Sequence, residues 1–381
     1  MVETAVPKKK KTGGLAGIVA GDSAICTCGI EDQTLSYRGY SIDDLAANAT
    51  FEEVCWLLLR GELPNKEELD GYKEKLKALR DLPKALKIIL EHIPETANMM
   101  DVLRTGVSAL GNIEAETPDQ DIFDIPDRLI ACQSSILLYW YQYHKTGKRI
   151  DLNTDEDSLA GHIFRLLLEA PGRKSHVRCL DVSLILYAEH EFNASTFTAR
   201  TIASTLPDFY SSIVGAIGAL RGPLHGGANE AALELIQKFD SPDAAEEGIK
   251  EMLHNKDLIM GFGHRVYTTS DPRSAIIKEW AQQLGQERGD NVLYPVSERI
   301  EQVMWKEKKI FPNLDFYSAD SYYFMGFPTE MFTPMFVFSR ISGWAAHVLE
   351  QRGNNKLIRP GSNYTGPSRK EWLPISKRKD S

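Results

Sequence analysis

The chain has 381 residues, enough to bury a large core in one or two domains. With 53 acidic against 44 basic residues its net charge is −9, which excludes a general basic footprint for nucleic acid. Apolar residues make up 43% and charged residues 25%, an ordinary soluble globular balance, and no run reaches the roughly 18 consecutive apolar residues of a membrane span.

The N-terminal "MVETAVPKKKKTGG" holds four lysines and no apolar run of signal-peptide length, so residues 1–13 read as a disordered basic tail. The five cysteines, Cys26, Cys28, Cys55, Cys132 and Cys179, form no CxxC pair. Reduced thiols in a cytoplasmic protein are the expectation. The only expected strands lie in "GLAGIVAGDSAICTCGI" and "TLSYRGYSI", where β-branched residues and glycines gather.

Helices follow. Ser41 is placed to cap one, with Asp43 and Asp44 in its first turn. "TFEEVCWLLLRGELP" has helical apolar spacing and stops at Gly61 and Pro64, and "NKEELDGYKEKLKALRDLP" continues the pattern. Further helices are predicted over 84–92, 125–145, 158–170, 181–190, 194–204, 211–222, 228–238, 243–253, 272–286, 295–308 and 330–351. In the helix over 211–222, Gly215, Gly218 and Ala219 share one face. That face suits either tight packing within the chain or a subunit contact. The whole is a mostly α-helical protein with a short β segment near the N-terminus.

Three of the nine histidines stand in unusual settings. His225 lies in "LRGPLHGGANE", among Gly222, Pro223, Gly226 and Gly227, where a ligand could come close to backbone. His264 lies in "MGFGHRVY", and the Gly261-Phe262-Gly263 turn offers exposed backbone N–H and C=O groups; Val266 stands where a dinucleotide GxGxxG motif needs glycine. His190 begins an HExxH pattern, but residue 194 is Ala, so the second zinc ligand is missing and no metal is expected. His347, in an apolar helix, reads as a satisfied core histidine.

Arg273 follows Pro272 at a helix start, where it could clamp a carboxylate or form a capping ion pair. Arg340 interrupts the apolar helix over 330–351, and a buried guanidinium without an anion is costly. Arg359 precedes Pro360 in a C-terminal extension. Asp315, between apolar residues in "FPNLDFYSAD", is either a general base of raised pKa or a plain N-cap. Neither GxSxG nor a P-loop occurs. This inventory suits acid/base carbon chemistry on a polycarboxylate better than hydrolysis through a covalent intermediate.

The motifs "GPLHGGANE", "GFGHRVY", "DPR", "PNLDFYSA", "EMFTPMFVFSR" and "LIRP", in this order and spacing, resemble the citrate synthase family. "SSILLYWYQYH", "LYAEHEFNASTFTAR" and "VMWKEKKIFPNLD" are similar to its bacterial 2-methylcitrate synthase branch, and the likeness runs from about residue 14 to 367. One departure is Asn98-Met99-Met100, where relatives have His-Pro-Met; this puts the local loop in question.

The resemblance implies an all-α, multi-helical citrate synthase-like fold: a large domain over 14–222, a small domain over 223–322 that closes over the substrates, and a return to the large domain with a C-terminal extension over 323–381. It implies condensation of propionyl-CoA with oxaloacetate and hydrolysis of the thioester, with citrate synthesis from acetyl-CoA the alternative and side activity, and no permanently bound cofactor. Asp315 would take the proton beside the thioester, His225 would stabilise the enol, and His264 would polarise the oxaloacetate carbonyl. His190, Arg273, Arg340 and Arg359 would bind oxaloacetate, and the glycines around His225 would let the thioester approach. Leu258, Ile259, Met260, Gly261, Phe262 and Gly263 would carry the CoA adenine. Arg359 would come from the partner of an obligate homodimer with composite sites. A non-catalytic CoA- or tricarboxylate-binding protein is the alternative of a different class.

Overall fold

The computed structural model describes residues 14–15, 17–29 and 34–378; the basic tail expected over 1–13 lies outside the described residues. Sixteen α-helices and three short strands are described, in keeping with the all-α expectation. Strands β1 (Cys26–Cys28), β2 (Leu35–Tyr37) and β3 (Tyr40–Ser41) form an antiparallel meander with Cys26 opposite Tyr37 and Ser36 opposite Ser41. No described helix is long and apolar enough to cross a membrane.

Local capping chemistry sets many helix ends. Ser41 caps α1 (Ile42–Asn48) by accepting from the Asp44 N–H. Thr50 and Glu53 form a capping box on α2 (Phe51–Arg60), which ends at Gly61 with φ 96°. Asn65 and Glu68 do the same for α3 (Lys66–Ala78). Then come α4 (Lys84–His92), α5 (Met99–Ile113), α6 (Asp124–Thr146) and α7 (Leu159–Leu168). Helix α5 escaped the periodicity reading because Gly106 and Gly111 dilute its pattern. Both have packing reasons: a Cβ on Gly106 would meet Ile136 at 2.3 Å, and one on Gly111 would meet Tyr210 at 2.8 Å. The Asn98 departure is absorbed as the N-cap of α5, its side chain accepting from the Met100 N–H.

Next are α8 (Lys174–Tyr187), α9 (Ala194–Ala203) and α10 (Phe209–Leu220). The helix expected over 181–190 begins earlier and stops at Tyr187. His190 therefore sits in a turn, not on a helix, and Glu191 beside it has φ 54°. The buried Tyr37 hydroxyl lies at this end of α8 with the carbonyls of Ile185 at 3.1 Å and Glu189 at 3.0 Å as acceptors for its one proton. The small sheet is thereby pinned beside His190. On α10, a Cβ at Gly215 would meet Ile202 of α9 at 2.1 Å, so this glycine serves packing within the chain, while Gly218 faces open space.

Helices α11 (Ala228–Ile236), α12 (Pro242–Asn255), α13 (Pro272–Arg288), α14 (Leu293–Lys308) and α15 (Leu314–Met325) pack largely on one another, α13 and α11 on α15 and α12 on α14. Helix α16 (Phe332–Gly353) returns through the core and is buried along nearly its whole length. It crosses α8 closely: a Cβ on Gly343 would stand 2.3 Å from the Ala188 carbonyl. That crossing, with the starts of α13 and α15 beside it, forms the floor of the site.

Candidate active site

His225 occupies a tight turn between α10 and α11, its N–H donating to the Gly222 carbonyl at 2.9 Å. The glycines here have unequal reasons. A Cβ on Gly226 would stand 2.2 Å from the Leu220 carbonyl, so glycine is required for the turn to close on the end of α10. Gly222 and Gly227 have ordinary or open space around them. The need for glycine at 226 is thus set by the chain itself, not by an approaching thioester.

The ring of His225 is oriented from α9. The Ser195 N–H, at the start of that helix, donates to Nε2 at 3.2 Å, and Ser195 Oγ lies 2.8 Å from the same atom. The Trp344 indole N–H in turn donates to Ser195 Oγ at 3.1 Å. An Nε2 that accepts a backbone N–H carries no proton, so the ring proton of the neutral imidazole is on Nδ1. Burial, with Arg340 nearby, pushes the imidazolium pKa down to about 4, so the ring is uncharged at neutral pH.

His264 repeats the device with the nitrogens exchanged. The N–H groups of Val266 and Tyr267, from its own turn, donate to Nδ1 at 3.0 and 3.3 Å, which leaves the proton on Nε2. Burial, then Arg273, pushes its pKa down to about 4. Its ring stands 4.9 Å from that of His190 and 4.7 Å from that of Tyr267, centre to centre. Buried His190 has Nε2 3.2 Å from both the Tyr267 hydroxyl and Cys28 Sγ, and desolvation keeps it far below its usual pKa.

Asp315 lies in the first turn of α15. The N-cap is Asn313, whose side chain accepts from the Asp315 N–H at 3.1 Å, so the plain N-cap reading of Asp315 does not hold. Asn313 also ties α15 to the glycine loop: its N–H donates to the Gly261 carbonyl at 2.9 Å and its Nδ2 to the Gly263 carbonyl at 3.0 Å. Asp315 Oδ1 accepts from the Tyr187 hydroxyl at 2.6 Å. Desolvation raises the Asp315 pKa, and the Tyr187 bond opposes that rise.

Two buried arginines face this group. Arg340 donates from Nε to the Tyr187 carbonyl at 2.6 Å and lies over the Phe336 ring at 4.6 Å. No carboxylate is within ion-pair distance of it among the described residues, and desolvation lowers its pKa. Arg273 is different: Nε and Nη2 grip the Asp271 carboxylate at 3.0 and 2.8 Å, both residues buried. Asp271 also caps α13 and accepts the Leu314 N–H at 3.2 Å, joining the starts of α13 and α15. The capping ion pair expected of Arg273 therefore forms, and its Nη1 has no partner among the described residues.

In the loop over 258–263, Gly261 (φ 81°) must be glycine, because a Cβ would meet Phe316 at 2.8 Å. The Gly261 carbonyl and both polar backbone groups of Gly263 are already engaged with residues 311–313. The backbone left for a ligand is that of Leu258, Ile259, Met260 and Phe262, with the Leu258 side chain exposed and that of Ile259 buried. Arg359 is exposed beyond α16 and takes no part in the cluster. The satisfied-core reading of His347 holds: Nδ1 accepts from Arg200 at 2.9 Å and Nε2 meets Glu189 at 2.8 Å.

The structure thus gathers His190, His225, His264, Arg273, Arg340 and Asp315 around the α8–α16 crossing. Sequence reasoning missed Ser195, Tyr187, Tyr267, Cys28 and Asp271. Only Asp271 had a local signal, as an N-cap residue directly before Pro272.

The site thus holds two uncharged imidazoles, a desolvated carboxylate and two buried guanidinium groups. Comparison with known proteins gives the family. Residues 14–361 match the family model described as citrate synthase, C-terminal domain, and the chain belongs to the citrate synthase family, whose members are acyltransferases. It is 54% identical to the 2-methylcitrate synthase of Shewanella oneidensis, over 97% of this chain and 99% of the relative. It is 41% identical to citrate synthase 2 of Bacillus subtilis, over 96% and 99%. Among solved structures, the ternary complex of carboxymethyl coenzyme A and oxaloacetate with citrate synthase from Thermoplasma acidophilum superposes with a TM-score of 0.88 at 31% identity, covering 96% of this chain and 98% of that one.

Proposed function

We propose that this protein condenses propionyl-CoA with oxaloacetate and hydrolyses the resulting thioester to 2-methylcitrate and CoA. The observation that carries this reading is the pair of neutral histidines, each with one ring nitrogen fixed by backbone N–H groups and the other left to donate. Such donors stabilise a developing oxyanion without reorganising.

Asp315 removes a proton from the carbon beside the thioester carbonyl, and His225 Nδ1–H hydrogen-bonds the oxygen that becomes the enol. His264 Nε2–H polarises the ketone of oxaloacetate; the enol carbon attacks it, and the new alkoxide takes the His264 proton. Water then attacks the acyl-CoA carbonyl and gives its proton back to His264 Nε2, while the departing CoA thiolate takes the proton that Asp315 had removed, which leaves the free tricarboxylate, CoA and both groups as they began. Arg273, Arg340 and His190 bind oxaloacetate, and in a homodimer Arg359 of a second copy completes the set. The exposure of Arg359 outside its own chain's cluster supports that arrangement. The loop over 258–263 takes the CoA adenine, and closure of residues 223–322 over the cleft excludes water. A cytoplasmic protein without a permanently bound cofactor fits this chemistry.

Acetyl-CoA is a second substrate on this reading, because one methylene is worth only about 1–3 kcal/mol in a pocket. The 41% identity to a citrate synthase favours that side activity. Steady-state kinetics with both thioesters and oxaloacetate, with product identification, test the proposal. A higher kcat/KM with propionyl-CoA supports it. A preference for acetyl-CoA makes the protein a citrate synthase, and no thioester-dependent product leaves a binding protein.

A further inference from the structure

Tyr187 touches the site with both its ends. Its carbonyl, the last of α8, accepts the Arg340 Nε–H at 2.6 Å, and its hydroxyl donates to Asp315 Oδ1 at 2.6 Å. The two residues it holds come from α16 and α15, and 128 residues separate Tyr187 from Asp315. The phenol is buried at 2% exposure, its ring packed against Phe336 at 4.6 Å between centres, and its hydroxyl also neighbours Ser318 of α15.

We infer that Tyr187 is the positioning residue of the base: its hydroxyl aims the Asp315 carboxylate and keeps it ionised for proton abstraction. Among the described residues no other side chain donates to this carboxylate, and Oδ2 has no partner, which leaves that oxygen for the substrate. The charged groups facing Asp315 are Arg273 and Asp271 at the start of α13 and Arg340 on α16, and neither arginine is within ion-pair distance of it. Burial drives the acid toward its neutral form, and the Tyr187 bond opposes it most strongly, ahead of the more distant Arg273 and Arg340. Tyr187 donates and does not ionise, because burial and the adjacent Asp315 raise its own pKa well above the usual value.

The inference rests on the condensation proposed above, and the experiment separates the two. In full-length Tyr187→Phe, the acid limb of the kcat/KM profile for propionyl-CoA should move up by about one pH unit, a tenfold loss on that limb. Solvent exchange of deuterium from the propionyl methylene should slow in parallel. The KM for oxaloacetate should hold, because the carbonyl that anchors Arg340 remains. Tyr187→3-fluorotyrosine, nearly the same shape and a stronger donor, should move the limb downward. A tyrosine that merely fills space would alter stability and leave the limb in place. Limbs unmoved in both variants of an active enzyme overturn the role of Tyr187 alone. A wild type that makes no tricarboxylate from either thioester overturns the proposed function instead.

Discussion

Asp271→Ala removes the anion that holds Arg273 in the site. Asp271 is 3% exposed and Arg273 5%, and two charge-assisted bonds of 3.0 and 2.8 Å join them. Deleting the carboxylate leaves a desolvated guanidinium uncompensated, which costs about 3–5 kcal/mol when a buried pair is broken from one side. The same carboxylate caps α13, worth about 1 kcal/mol at such positions, and accepts the Leu314 N–H. Because these terms share one residue they do not add fully, and the expected total stays at about 3–5 kcal/mol. Denaturant unfolding followed by tryptophan fluorescence measures the loss. Asp271→Asn, which keeps the acceptor and drops the charge, should lose less. The KM for oxaloacetate should rise in both variants as Arg273 loses its orientation. A loss below about 1 kcal/mol, the scale of a solvated surface pair, would refute the claim that this pair is a buried anchor.

Asp315→Asn should abolish turnover while calorimetry still detects oxaloacetate, whose proposed ligands are His190, His264 and the arginines; substantial residual rate removes Asp315 as the base. Stability should fall as pH drops from about 6.5 toward 4. The His225 and His264 rings stay neutral in the fold down to about 4, whereas the unfolded chain protonates them near 6.5, so acid favours unfolding across that window. Melting temperatures between pH 8 and 4.5 check this, and His225→Gln should show a shallower decline. An equal decline in the variant would mean that His225 is not held neutral by the fold.

The sequence by itself determined the helical frame, because helix signals are local. Ser41 caps and Gly61 ends the helices that their positions predict, and Thr50 with Glu53 and Asn65 with Glu68 cap theirs from three residues apart. It also singled out side chains that the fold then gathers, because a histidine among glycines, an arginine in an apolar helix and a carboxylate among aromatics are each costly without a use. Its failures were where packing overrode local preference. Helix α5 forms despite two glycines because they let α6 and α10 approach, and the end of α8 at Tyr187 is met by groups far off in the chain, the Tyr37 hydroxyl at the Ile185 carbonyl and Arg340 at that of Tyr187.

What only the tertiary structure decided is the state of each group in the site. The proton on His225 is placed by a backbone N–H 30 residues away, and the Asp315 carboxylate accepts from a phenol 128 residues away. Half of the Arg273 fork is occupied by Asp271, a bond that spacing alone left open. Protonation and orientation depend on partners and burial that exist only once the chain has closed on itself. Residue spacing names the candidate groups, and the fold sets their charge and direction.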